Sequence, residues 1–529
     1  MRPHVAAGDP HTAQAGAAVL QAGGNAVDAA VAATLAACAA EPVLTAPFGG
    51  GFALLAGPNL TPVAYDFFAT IPGQGLGPAA KAKGLDFMGL EVSFGPTTQV
   101  FHGGRGAAAV GLLLPGLVQM QAEQGRLPLR QVVQPAADLA ERGVPLSAQV
   151  ASIAAILRPI LQLTPATRQL FAPSGEVLRS GQVFRSPDLA RALRQVGDGN
   201  LDSAKEALLH SFGPPTGRIT AADLQQAEVR RSAPILINLG DHQVALNPAP
   251  SLGGLLVGFG LQLLAKVPAQ AWADESAALC HLLASMAITQ AVRHSHVDPA
   301  ACLGTKWLAA LTEPLLGAAH IDFYAAAMAA AARDGPPAGG FALKNLGSTT
   351  HISAMDAQGM ACAITSSNGE GCGHVLAGQG FMANNFLGEE DINPGGFHVR
   401  AAGERMTSMM CPTLVLKEGR PVIALGTGGS NRIRTALLQV LTHHLLRGMP
   451  LKQSVLMPRL HYEGGPLFVE RRMLDQALQP KTLEALQRRG GKLVPFDAPN
   501  MFFGGVHAAT ADGHGIGDPR RGGSVAYPA

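Results

Sequence analysis

The run Ser348-Thr349-Thr350-His351 meets two requirements of one chemistry. A threonine that is the first residue of its chain needs no neighbouring histidine or lysine, because its own α-amino group serves as base for its hydroxyl. Such a threonine has to be freed by a break in the chain. Just upstream, Asp334-Gly335-Pro336-Pro337-Ala338-Gly339-Gly340 holds two prolines and three glycines in seven residues, which neither continue a helix nor pair in a sheet centre. The threonines also read as simple β-propensity at a strand start. Two glycine-rich stretches, Gly49-Gly50-Gly51 and Gly426-Thr427-Gly428-Gly429-Ser430-Asn431, have neither Walker nor dinucleotide-binding spacing. The second joins a strand to a helix; it reads either as a tight turn or as a source of backbone N–H groups for a developing oxyanion. His294-x-His296-x-Asp298 and His443-His444 lack further ligands at zinc-like spacing, and neither H-E-x-x-H nor G-x-S-x-G occurs.

The elements that have to position these residues are readable from periodicity. Residues 11–22 and 26–40 predict two helices separated by Gly23-Gly24-Asn25, and Glu41-Pro42 stops the second. Strands are expected over 52–55 and 63–67. The middle of the chain reads mainly as helix, including 129–141 and 150–158, with Pro159 as an interruption. Alternation over 235–246 predicts two strands around Gly240-Asp241, followed by a helix over 255–265 and further helices to Arg333. Behind the Pro/Gly stretch, 349–355 and 360–365 form a hairpin, 412–416 and 421–425 further strands, and 432–446 one helix, followed by a late sheet.

Composition bounds the partners. The 529 residues include 64 glycines and 38 prolines, roughly a fifth of the chain, yet 47% are apolar, which excludes a polar disordered chain and implies close backbone packing. With 39 basic against 37 acidic residues and no basic run, a nucleic-acid partner is not expected; a small molecule is. The first residues lack the apolar core of a secretory signal, and 31–40 is too short to span a bilayer, so a cytoplasmic protein without a membrane partner is the expectation. Six cysteines without a C-x-x-C pair suit reduced, mostly packed thiols. No cofactor is expected, and length alone leaves one to three domains open.

Collinear blocks resemble a known family. Gly23-Gly24-Asn25-Ala26-Val27-Asp28-Ala29-Ala30, Glu41-Pro42, Gly49-Gly50-Gly51-Phe52, Pro248-x-Pro250-Ser251, Thr349-Thr350-His351-x-Ser353, Asn384-Asn385, Ser408-Met409-Met410-Cys411-Pro412-Thr413, Gly428-Gly429-Ser430, Pro458-Arg459 and Asp518-Pro519-Arg520 follow the order of the γ-glutamyltranspeptidase (glutathione hydrolase) family, which are N-terminal nucleophile hydrolases. The resemblance implies an α/β fold, a four-layer αββα sandwich. One precursor would be cut at Ser348–Thr349 into a large chain, 1–348, and a small chain, 349–529, which together form one domain. Thr349 would be the nucleophile, Ser367 the hydroxyl that tunes it, and Gly428 and Gly429 the oxyanion donors, or Gly429 and Ser430 if the register moves by one. Asn368 and Glu389 would lie by the substrate.

The implied acyl pocket departs from the family pattern. Phe68 stands where an arginine would hold an α-carboxylate, Phe386 replaces a polar residue, and a serine pair is reduced to Ser408. Arg400, Arg405 or Arg105 are the candidates to replace the missing charge. The expected activity is γ-glutamyltransferase or glutathione hydrolase-like, with a γ-glutamyl or similar small acyl passed from an amide through a threonyl ester to water or an amine. The alternatives are an acylase for another acid, such as glutaryl or oxamate-like amides, or a family member that binds without turnover.

Overall fold

The computed structural model describes residues 1–77, 84–93, 98–334, 348–476 and 492–529. Most of the Pro/Gly stretch before Ser348 lies outside the described residues.

Two antiparallel sheets carry the structure. The first has the strand order Arg230–Ser232, Leu60–Phe67, Gly50–Gly57, Ala361–Ser367, Thr350–Met355, His4–Ala7, Ser524–Ala526. The second runs Ile235–Leu239, His242–Leu246, Thr413–Lys417, Arg420–Gly428, Gly505–Thr510, Gly515–Ile516. In both, strands from either side of Thr349 pair directly, as in Ala361–Ser367 with Gly50–Gly57 and Thr413–Lys417 with His242–Leu246.

Side-chain alternation sends each sheet's residues to two layers. From the hairpin strands, Ile352, Ala354, Cys362 and Ile364 pack beneath the helices Pro10–Gln21 and Ala26–Ala40. Met355, Ala361 and Ala363 face the other sheet, where they meet Leu414, Leu416, Ala424, Ala245 and Ala509. This interface is mostly alanine, which places the small-residue bias where two sheets approach face to face. Leu252–Ala265, Glu275–Val292 and Arg432–Leu441 cover the outer face of the second sheet with a leucine-rich core. The layers are thus helix, sheet, sheet, helix, as the family resemblance implies.

Local signals explain the helix nearest the site. Asn25 caps Ala26–Ala40 by accepting from Val27 and Asp28 N–H, and Asp28 returns the bond to the Asn25 N–H. All fifteen of its residues are buried, and it ends on Glu41. Two expectations differ from the structure. The interruption expected at Pro159 comes two residues earlier: the helix Ala148–Ile156 closes at Leu157, and Pro159 is the second residue of a new short helix, Arg158–Leu161, where its missing N–H is harmless. The helix expected over 432–446 closes at Leu441 and widens into a π turn over Thr442–Leu446.

Candidate functional site

Thr349 stands at the head of the strand Thr350–Met355, whose register pairs Thr350 with Ser366 and His351 with Thr365. The neighbouring strand therefore ends alongside the Ser348–Thr349 bond. There Ser367 Oγ donates to the Ser348 carbonyl oxygen at 2.5 Å and accepts from the Gly369 N–H at 2.9 Å. Ser348, Thr349 and Ser367 are all buried. On the other side of Thr349, its carbonyl oxygen accepts from Arg521 Nη1 at 3.3 Å. A Cβ at Gly428 would lie 2.0 Å from that oxygen, so only glycine lets the second sheet come this close.

The residues beside Thr349 hold the sheets in place. Thr350 faces the helix layer and donates to Glu41 Oε2 at 2.7 Å, while Thr12 donates to Oε1 at 2.8 Å. Burial, with Asp9 nearby, pushes the Glu41 carboxyl up to about 7. His351 contacts Thr365 Oγ1 at 2.8 Å through Nδ1 and Ser353 Oγ at 2.9 Å through Nε2. Ser353 spends its hydroxyl proton on the His507 carbonyl, so His351 Nε2 carries the proton and Nδ1 accepts from Thr365. Burial holds the His351 pKa well below its usual value. It is a neutral ring bonded within its own sheet, and Ser353 carries the link to the second sheet at His507.

The glycine turn divides at Gly428. Gly428 is the last residue of the strand Arg420–Gly428 and pairs with Gly505. Gly429 and Ser430 form the turn itself, with φ of 129° and 51°. Among the described residues no hydrogen bond takes up the backbone N–H of either. Ser430 Oγ donates to Asp391 Oδ2 at 2.6 Å, and Asn431 begins the helix Arg432–Leu441.

A cavity of about 30 Å³, room for a single water, lies against these groups. It is lined by Ser348, Thr349 and Ser367, by Ser408 and Ser430, by Glu389 and Asp391, and by an apolar wall that includes Phe68 and Phe386. No arginine or lysine is among the described residues that line it. Phe68 stacks on Phe52 at 5.7 Å and packs against Phe386 at 4.6 Å, both rings fully buried. The three candidate replacement arginines are engaged elsewhere: Arg405 reaches Asp66 Oδ2 at 3.4 Å, Arg400 meets Glu404 Oε2 at 3.1 Å, and Arg105 lies 4.0 Å from Asp86 Oδ2. None of them lines this cavity.

Of the other residues expected by the substrate, Glu389 lines the cavity, whereas Asn368 turns its amide to the Met382 carbonyl at 3.0 Å. Ser408 Oγ accepts from the Met410 N–H at 3.1 Å. Among the described residues Glu389 Oε1 has no hydrogen-bond partner, and burial together with Glu370 and Asp391 pushes its pKa well above the usual carboxylate range. Glu370 and Asp391 escaped the sequence reading, although the run Glu389-Glu390-Asp391 in an acid-poor chain was a signal. A larger cavity of about 670 Å³ lies between the helices Pro10–Gln21 and Leu129–Arg142 and includes none of these groups.

Comparison with known proteins agrees with this arrangement. The gamma-glutamyltranspeptidase family profile matches residues 12–527. The acylase ACY 1 proenzyme of Pseudomonas sp. (strain V22) is 30% identical over 500 residues, covering 93% of this chain and 87% of the relative. The glutathione hydrolase proenzyme of Escherichia coli (strain K12) is 26% identical over 542 residues, covering 98% and 90%. The crystal structure of cephalosporin acylase from Bacillus halodurans superposes with a TM-score of 0.79 at 23% identity, over 99% of this chain and 95% of that one, which establishes the shared fold. The chain belongs to the gamma-glutamyltranspeptidase family, as a hydrolase or acyltransferase of the glutathione hydrolase and acylase kind.

Proposed function

We propose that the protein is a self-processing amide hydrolase that uses Thr349 as nucleophile and accepts an acyl group without a carboxylate. The observation that carries the processing step is the 2.5 Å bond from Ser367 Oγ to the Ser348 carbonyl. A hydroxyl donating to that oxygen polarises the carbonyl and takes up charge as Thr349 Oγ attacks its carbon. The C–N bond breaks, the nitrogen takes the hydroxyl proton, and water hydrolyses the resulting ester to a Ser348 carboxylate and a free Thr349 amine. Because both sheets are shared by strands from the two sides of the cut, the chains 1–348 and 349–529 remain one body.

The freed amine then serves as base for the Thr349 hydroxyl in attack on a substrate amide; the leaving amine departs protonated, and water or another amine resolves the ester. Unpaired N–H groups at Gly429 and Ser430 favour that register for the oxyanion.

Specificity follows from the wall of the cavity. An α-carboxylate buried beside Phe68 and Phe386 meets no cation among the described residues that line the cavity, which disfavours γ-glutamyl, glutaryl and oxamate-like groups alike. Glu389 can accept an ammonium, so an aminoacyl group such as 4-aminobutyryl, which is γ-glutamyl without its carboxylate, fits the charges. The acylase relative gives the acylase reading further support. The test compares 4-aminobutyryl, butyryl, glutaryl and γ-glutamyl p-nitroanilides. The expected kcat/KM for the 4-aminobutyryl compound exceeds that for the two acids by about 10- to 100-fold; γ-glutamyl as the best of the four overturns the specificity reading.

A further inference from the structure

The His294-x-His296-x-Asp298 motif resembles a partial metal site in sequence and serves another purpose in the fold. It lies where the helix Glu275–Val292 widens into a π turn, Arg293–Val297. The i to i+5 geometry of such a turn brings Arg293 and Asp298 together. Arg293 Nε donates to Asp298 Oδ1 at 3.1 Å, and His294 Nδ1 lies 3.1 Å from Asp298 Oδ2. The guanidinium, only 5% exposed, then reaches across to the glycine turn and donates from Nη1 to Asn431 Oδ1 at 2.9 Å. On the residue before, Ser430 is tied to Asp391. Burial raises the Asp391 carboxyl to about 6, with the Arg293 charge pulling the other way.

We infer that Arg293, braced by Asp298, is a positioning residue for the turn Gly429–Ser430–Asn431. One arm fixes Asn431 directly. The other acts through its charge on Asp391, which grips the Ser430 hydroxyl while Ser430 holds a left-handed φ of 51°. For a serine this conformation is costly without such external ties. The turn therefore presents its free N–H groups in a fixed place only while Arg293 is seated. This inference rests on the Thr349 reading and on the turn as the site where substrate oxyanion charge develops.

In the precursor the reacting carbonyl is that of Ser348, and its donor is Ser367, not the turn. Loss of Arg293 should therefore slow turnover of an added amide far more than self-cleavage. The experiment compares wild type, Arg293→Met, Arg293→Lys and Asp298→Asn, with precursor cleavage followed on a denaturing gel and turnover followed with 4-aminobutyryl p-nitroanilide and the other three anilides. The expected result for Arg293→Met is cleavage within about threefold of wild type, kcat lower by about 10- to 100-fold on whichever anilide wild type turns over, and KM within about threefold. Arg293→Lys, which keeps the charge but not the fork, recovers part of kcat, and Asp298→Asn falls between. Unchanged kcat in Arg293→Met overturns the inference, as does parallel loss of cleavage and turnover with a lowered melting temperature. Absence of cleavage in wild type itself overturns the Thr349 reading, and this inference with it.

Discussion

Replacing Ser367 by alanine removes the side-chain donor that the Ser348 carbonyl has among the described residues and tests the processing step directly. The bond it removes is short, 2.5 Å, and its own oxygen is held by the Gly369 N–H at 2.9 Å, so the hydroxyl is preorganised rather than recruited. Loss of one such donor from an oxyanion site costs about 2.7–4 kcal/mol of transition-state stabilisation, or about 100- to 1000-fold in rate. The deleted oxygen is small and lies on a cavity, so the fold itself loses little. In a time course of freshly purified precursor on a denaturing gel, Ser367→Ala is expected to persist as full-length chain about 100-fold longer than wild type, with a melting temperature near that of wild type. Ser367→Thr, which keeps the hydroxyl, cleaves within about tenfold of it. Cleavage of Ser367→Ala within threefold of wild type refutes the reasoning.

Three further perturbations follow from the same geometry. Gly428→Ala puts a Cβ 2.0 Å from the Thr349 carbonyl oxygen and displaces the reacting bond, so self-cleavage should fall by at least about 100-fold on the gel. The Glu41 carboxyl is raised by burial from 4.5 to about 7, so the folded state binds its proton more tightly than the unfolded chain does. Its contribution is fully present below pH 4.5 and is lost as pH rises through about 7, a loss of up to about 3 kcal/mol. Thermal melts of Glu41→Gln should accordingly fall less between pH 5 and 8 than those of wild type. Phe68→Arg restores a cation to the cavity wall at the expense of two ring contacts; γ-glutamyl p-nitroanilide turnover should rise while the melting temperature falls.

What was legible in the sequence was whatever short-range signals encode. The helix Ala26–Ala40 is bracketed by a capping box at Asn25 and a stop at Glu41-Pro42, and the hairpin around Thr349 is written in its alternation. Collinear motifs supplied the family and the four layers. The register of the glycine turn was left open because Gly428 and Gly429 are equivalent as letters; pairing of Gly428 with Gly505, a contact over long sequence distance, separates strand from turn. Arg405 read as a free cation near the pocket, yet the fold commits it to Asp66. Arg293 showed no signal of a role at a turn 138 positions later, since nothing in local spacing encodes that approach. The break near Pro159 was legible, but not that the same proline opens the next helix, since a proline that breaks one helix is equally suited to the first turn of the next.

The central claim is that Thr349 becomes an N-terminal nucleophile that carries the acyl group. Acid-quenched mass spectrometry of the wild-type protein during turnover of 4-aminobutyryl p-nitroanilide tests it most directly. The expected small chain begins at Thr349 and gains the mass of one acyl group on that residue, a product absent in Thr349→Ala, which stays full length. A stable uncut chain in wild type, or an acyl group on any other residue, would contradict it.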